Sequence, residues 1–186
     1  MKDLKGIKGS YYIASLIEQG EHEQQDFKFA IPAARKIARS LSAFADHSGG
    51  RLLVGVKDNG NIAGVRSEED VYMIEQAAEL HCVPPQEIRV TPITVEGGLM
   101  VVRGEIEPSK LRPVCVREAD GQLKAYYRVR DENILATPLM VRAWRRASSD
   151  DTLPALSLDA NARIMLAMAA RPGGADIEET MVGAHL

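Results

Sequence analysis

LSAFADHSGGRLLVGVKDNGNIAG, residues 41–64, is the stretch on which the fold turns. Leu41 and Phe44 continue an apolar side begun by Ile37, at the spacing of a helix. Gly49-Gly50 stops that helix and turns the chain. Arg51-Leu52-Leu53-Val54-Gly55-Val56 is apolar on both faces, so it predicts a central strand with both sides covered. Asp58-Asn59-Gly60-Asn61 is a tight-turn signal and predicts a hairpin into Ile62-Ala63-Gly64-Val65.

Residues before this stretch extend the pattern. Residues 10–19 predict a short helix, with Ser10 as cap and Ile13, Leu16 and Ile17 as its stripe. Residues 24–29 alternate with period two, which sends Phe27 and Phe29 to the core and Asp26 and Lys28 to the opposite, solvated face. Pro32 suits the start of the helix carrying Ile37.

After the hairpin, Ser67-Glu68-Glu69-Asp70 opens another helix and Pro84-Pro85 breaks the chain. Two alternating strands over 87–106 flank Glu96-Gly97-Gly98, and a second pair, 113–117 and 123–130, flanks Ala119-Asp120-Gly121. A helix over 138–147 follows. Helices followed by antiparallel hairpins make an α+β fold, a mixed and antiparallel sheet with packed helices.

The chain has 186 residues, 45% apolar and 26% charged, with a formal net charge of −3. Those are globular proportions, enough for one domain and an appendage. The negative balance argues against an all-over cationic surface and leaves room for local basic patches. Cys82 and Cys115 stand alone, outside any CxxC spacing, so neither a zinc knuckle nor a disulfide framework is expected. No apolar run approaches the roughly 20 residues of a membrane span, and no leader is recognisable, so cytoplasm is the expected location. The expected domain covers residues 1–147. Residues 148–154 read as a linker, and 155–186 as an appendage whose helix, 161–170, is apolar almost all round and needs a cover.

Three stretches then carry a resemblance. GEHEQQDFK (residues 20–28) looks like a signature written GES-x-x-x-EFK. Residues 41–58 look like its partner, AFAN-x-x-GG-x-hhhGV-x-D, and residues 58–64 like the D-x-x-G-x-I-x-G continuation with one residue fewer between Asp58 and Ile62. Tyr126-Tyr127-Arg128-Val129-Arg130 resembles a late hYhR-x-G strand. Together, over roughly residues 12–147, they resemble the AlbA_2, or Schlafen-type, nucleic-acid-binding family, found in many bacterial regulators and once labelled a divergent ATP-binding domain. The chain departs from the pattern at His22 for Ser, Asp26 for Glu, Asp46-His47 for Asn-Thr or Asn-Ser, and Asp131 where Gly is common.

The resemblance implies a nucleic-acid-interacting, regulatory domain without strong catalysis, with DNA or RNA as a weakly and non-specifically held partner. It also implies a rival. Catalytically active Schlafens use three carboxylates for divalent-metal-dependent RNA cleavage, and the motif carries these onto Glu21, Asp26 and Asp58, with Mg or Mn as the cofactor. Lys28 shares the strand face of Asp26 and is placed to touch phosphate. Arg35, Lys36 and Arg39 line one side of the second helix, and Arg142, Arg145 and Arg146 part of the last; such clusters suit phosphate. Strand alternation sends one of Tyr126 and Tyr127 to the core, and Trp144 reads as core. ATP is not expected, because the nearest approach to a P-loop, Gly50 to Gly55, continues with Val56-Lys57. A third reading is an oligomeric interaction module. Schlafen cores have two similar lobes and this chain supplies one, which with the apolar 161–170 helix predicts a homodimer.

Overall fold

The computed structural model describes residues 4–65 and 69–149. Its elements are α1 (Leu4–Ile17), β1 (Gln25–Lys28), α2 (Ala34–Ala45), β2 (Gly50–Val54), α3 (Glu69–Gln76), β3 (Cys82–Val83), β4 (Arg89–Thr94), β5 (Met100–Ile106), β6 (Cys115–Arg117), β7 (Leu123–Val129), β8 (Glu132–Leu135) and α4 (Pro138–Ser149). A π-helical turn, Ala77–His81, joins α3 to β3. The fold is α+β. One sheet runs β1-β2-β5-β4 and the other β3-β6-β7-β8. β1 and β2 are parallel, and every other pair is antiparallel.

Three apolar clusters set the layers. Phe27, Leu53, Val56 and Val101 bury one face of the first sheet against Ile13 and Leu16 of α1. Leu52, Val54 and Val102, on its other face, meet Ile37, Leu41 and Phe44 of α2, whose far side reaches Val116 and Tyr126 of the second sheet. Cys115 and Ala125 carry the outer face of that sheet to Trp144 of α4. The order is helix, sheet, helix, sheet, helix. α2 is therefore enclosed, and nine of its twelve residues are buried. Its small residues allow this close fit. Ser42 Oγ donates to the Val114 carbonyl (2.7 Å) and accepts from the Tyr126 N–H (3.2 Å), pinning α2 to the second sheet.

Several expectations change here. α1 begins at Leu4, six residues before the predicted start, because Gly6 and Gly9 continue the buried stripe of Ile13 and Leu16. A Cβ on Gly9 would lie 1.9 Å from the Thr94 carbonyl oxygen, so α1 crosses β4 at backbone distance. Ser10 is not a cap; its Oγ accepts from the Glu96 N–H (2.8 Å) at the β4–β5 loop. The predicted 51–65 hairpin shrinks to a single Val56–Ile62 bridge, since Gly55 turns left-handed (φ 94) and bends the strand away. β8 had no counterpart in the sequence pattern. Arg130 (φ 54) makes the β7–β8 turn, so the left-handed position falls one residue before Asp131. α4 runs to Ser149, through the first two residues read as linker. The capping residues 67–68 and the 161–170 helix lie outside the described residues. Among the described residues, no helix is long and apolar enough to cross a membrane.

Candidate functional site

The GEHEQQDFK segment leaves α1, turns, and becomes β1, the outermost strand of the first sheet. Gln25, fully buried, fixes this turn: its amide donates to the Leu16 and Gly20 carbonyls (2.7 Å each) and its oxygen accepts from Arg51 Nε (2.6 Å). The alternation along β1 is as predicted, but the polar face is not solvated. Asp26 is only 2% exposed, because α2 and the second sheet cover that face. Phe27 is in the core. Phe29 is not: β1 ends at Lys28, and the Phe29 ring is 43% exposed with the Lys57 ammonium 5.5 Å from its centroid.

Asp26 is the centre of a saturated network. Oδ2 takes the Lys28 ammonium at 2.6 Å and the Ser40 hydroxyl at 3.0 Å, and Oδ1 lies 3.3 Å from Arg128 Nη2. Arg128, whose side chain is wholly buried, also donates to Asn133 Oδ1 (2.8 Å), while Asn133 Nδ2 donates to Ser40 Oγ (2.9 Å). Burial by itself would raise the Asp26 carboxyl; Lys28 and Arg128 outweigh it and hold the group below the usual aspartate range, so it stays ionised. Glu21 sits beside it. Burial and the Asp26 neighbour raise its carboxyl, against the Phe27 N–H that donates to Oε1 at 2.8 Å.

The outer main-chain groups of β1 are consequently all engaged. Gln25 N–H donates to the His22 carbonyl (3.1 Å) and Phe27 N–H to Glu21. The Gln25 carbonyl accepts from Arg128 (3.2 Å) and the Phe27 carbonyl from Lys28 Nζ (3.0 Å).

The three-carboxylate expectation does not survive this geometry. Glu21 and Asp26 are neighbours, but Asp58 is exposed on the turn closed by Gly60 N–H to the Lys57 carbonyl (2.8 Å), past the Gly55 bend. Among the described residues no three His, Cys, Asp or Glu side chains form a group able to hold a metal ion. The remaining pair is also largely committed, since both Asp26 oxygens carry cations or a hydroxyl and Glu21 Oε1 accepts from the Phe27 N–H. A divalent ion would have to displace Lys28 and Arg128 to gain two ligands. The residues present do not fit Mg or Mn.

Three of the seven cations predicted to suit phosphate converge. Lys28, Lys36 and Arg39 line one cleft of about 410 Å3 with Ser40, Tyr126, Glu132 and Asn133, where α2 faces β7 and β8. Lys36 is exposed. Arg39 is half-buried: it forks onto both Glu118 oxygens (2.9 and 2.8 Å) and lies 5.6 Å over the Tyr126 ring. The Tyr126 hydroxyl donates to Glu118 (2.6 Å), and burial with that bond raises it to about 12. Arg35 is elsewhere. Its Nε donates to the Arg117 carbonyl (3.1 Å), which fastens α2 to β6. Sequence reasoning missed Glu132 and Asn133, which came with the unread strand β8, and the pivotal role of Arg128, for which a buried arginine in the hYhR-x-G strand was the available signal.

The solved structures similar to this chain include the N-terminal domain of a RecG-related protein from Nitrosomonas europaea. It is 17% identical, with a TM-score of 0.49, over 64% of this chain and 86% of that one. No curated protein matches the chain. The family model described as Schlafen, AlbA_2 matches residues 21–137, from the acid that caps β1 to the end of the β7–β8 hairpin. With well over half its length inside that match, the chain belongs to the Schlafen AlbA_2 family.

Proposed function

We propose that this domain binds DNA or RNA through backbone phosphate at the cleft between α2 and the β7–β8 hairpin, as a non-catalytic, regulatory binding element. One observation carries the reading: Lys28, Lys36 and Arg39 open into a single cleft beside an aromatic ring. Cations grouped in this way release counter-ions from a polyanion even when the whole molecule is acidic. Family membership supports a nucleic-acid partner. The ribonuclease alternative needs a metal held by Glu21, Asp26 and Asp58, and those side chains do not fit one.

Fluorescence anisotropy with labelled 12-mers tests the reading. Three phosphate-contacting cations give a slope of log K against log salt of about −2 to −3, at ~0.7–0.9 per contact. Lys36 is exposed and makes no side-chain bond that the fold needs, so Lys36→Glu removes affinity without unfolding the domain and flattens the slope by about one. No binding of single-stranded or duplex probes at low salt would leave the interaction-module reading in its place.

A further inference from the structure

Among the described residues that line the cationic cleft, Glu132 is the one acid. It begins β8 opposite Val129, it is exposed, and its carboxylate makes no hydrogen bond or ion pair with another described residue. The polar groups of the cleft floor are already committed. Ser40 serves Asp26 and Asn133, Asn133 serves Arg128 and Ser40, and the Tyr126 hydroxyl serves Glu118. What remains for a ligand is the whole ammonium of Lys36, the N–H groups that Lys28 and Arg39 do not already give to Asp26, Phe27 and Glu118, and an acceptor-only group on Glu132.

Phosphate alone makes poor use of this arrangement, because an ionised carboxylate repels it. A whole nucleotide uses both parts: its phosphate meets the cations, and hydrogen-bond donors on its base meet the carboxylate. The cleft volume lies within the ~300–1,000 Å3 range of small-ligand sites. We infer that Glu132 reads the edge of an unpaired base, giving the cleft a preference for guanine, then cytosine, over thymine or uracil. The inference rests on the binding reading above.

The ranking follows from donor patterns. Guanine presents N1–H and N2–H side by side, so both carboxylate oxygens accept in parallel, as they do from an arginine fork. Cytosine offers a single amino group, a known partner for Glu and Asp. Thymine and uracil place one N–H between two carbonyls that face the carboxylate unfavourably. A duplex hides these edges, so the preference belongs to single strands.

The test uses the full chain and three labelled probes: a thymidine 12-mer and the same 12-mer with one central dG or dC. The wild type binds the dG probe roughly 5–50-fold tighter than the thymidine 12-mer, the range a good side-chain-to-base pair supports. Glu132→Gln brings the probes within about twofold of one another and does not weaken the thymidine 12-mer, because a repulsive charge has gone. Lys36→Glu weakens all three. Equal affinities in the wild type, or a ratio that survives Glu132→Gln, would overturn the base-reading inference while Lys36→Glu still upholds the cleft. If no probe depends on Lys36, the cleft reading falls and takes this inference with it.

Discussion

Asp26 holds an ionised carboxylate at 2% exposure, with Lys28 and Arg128 as its counter-charges. Asp26→Ala leaves a fully buried guanidinium without its counter-charge, and breaking such a pair costs roughly 3–5 kcal/mol. Chemical denaturation is expected to show a loss of that size; an unchanged or raised midpoint would mark Asp26 as a functional acid held at structural expense. Asp46 poses the opposite case. Its Oδ1 accepts from the Val114 N–H (2.8 Å), its Oδ2 has no partner among the described residues, and burial pushes the carboxyl up to about 8 against that bond and the charge of Arg112. An unfolded aspartate titrates near about 3.9. Between those values the native state holds a proton that the unfolded chain has released, so stability is full on the acid side and drains as pH rises towards 8. The related pattern has Asn here, and Asp46→Asn keeps the acceptor with nothing to ionise. It is expected to stabilise the fold by roughly 1–3 kcal/mol at pH 7.5, with the gain vanishing near pH 4. Stability curves that stay parallel from pH 4 to 8 would refute it. At this scale the sequence was half legible. Period-two alternation sorts Asp26 from Phe27, but whether the polar side is wet depends on a second sheet contributed by residues 82–135, and where β1 stops decides Phe29.

At the scale of elements, short-range signals served best. The two-sided apolar run gave β2, and the Gly-bearing loops gave the β4–β5 and β6–β7 pairs, because turn chemistry and alternation are local. Two elements were misjudged, α1 because a distant strand sets its extent and β8 because of the backbone conformation of a single residue. Glycine lowers helix propensity, so the extra turns of α1 were invisible until β4 supplied a surface that only Gly9 fits. β8 needs Arg130 in a left-handed turn, which no local rule predicts. The cleft depended on β8 and so was only partly foreseen, through Lys28, Lys36 and Arg39. Gly9→Ala tests the crossing. In a free helix the change stabilises by about 1 kcal/mol, whereas here the methyl group meets a carbonyl and overpacking costs roughly 1–3 kcal/mol. Thermal unfolding should show Gly9→Ala below wild type, with exposed Ser15→Ala near it as control. A Gly9→Ala midpoint at or above wild type would mean that α1 does not lie this close to β4.

For the whole molecule, the self-association expected from residues 161–170 is a matter for solution measurement. Light scattering behind size exclusion is expected to give twice the 20.3 kDa chain mass, and removal of residues 155–186 to lower it. A 20.3 kDa species at tens of micromolar would end the dimer proposal. A strand at the rim of a sheet ordinarily offers a ladder of free N–H and C=O groups to any passing chain. Along β1 that ladder has been used up by Glu21, Lys28, Arg128 and the His22 carbonyl. The motif thereby closes this edge of the sheet to further strand pairing. Breaking it, by Glu21→Ala for example, should appear first as turbidity or fibril-dye binding on prolonged incubation of still-folded protein, before any ligand is lost.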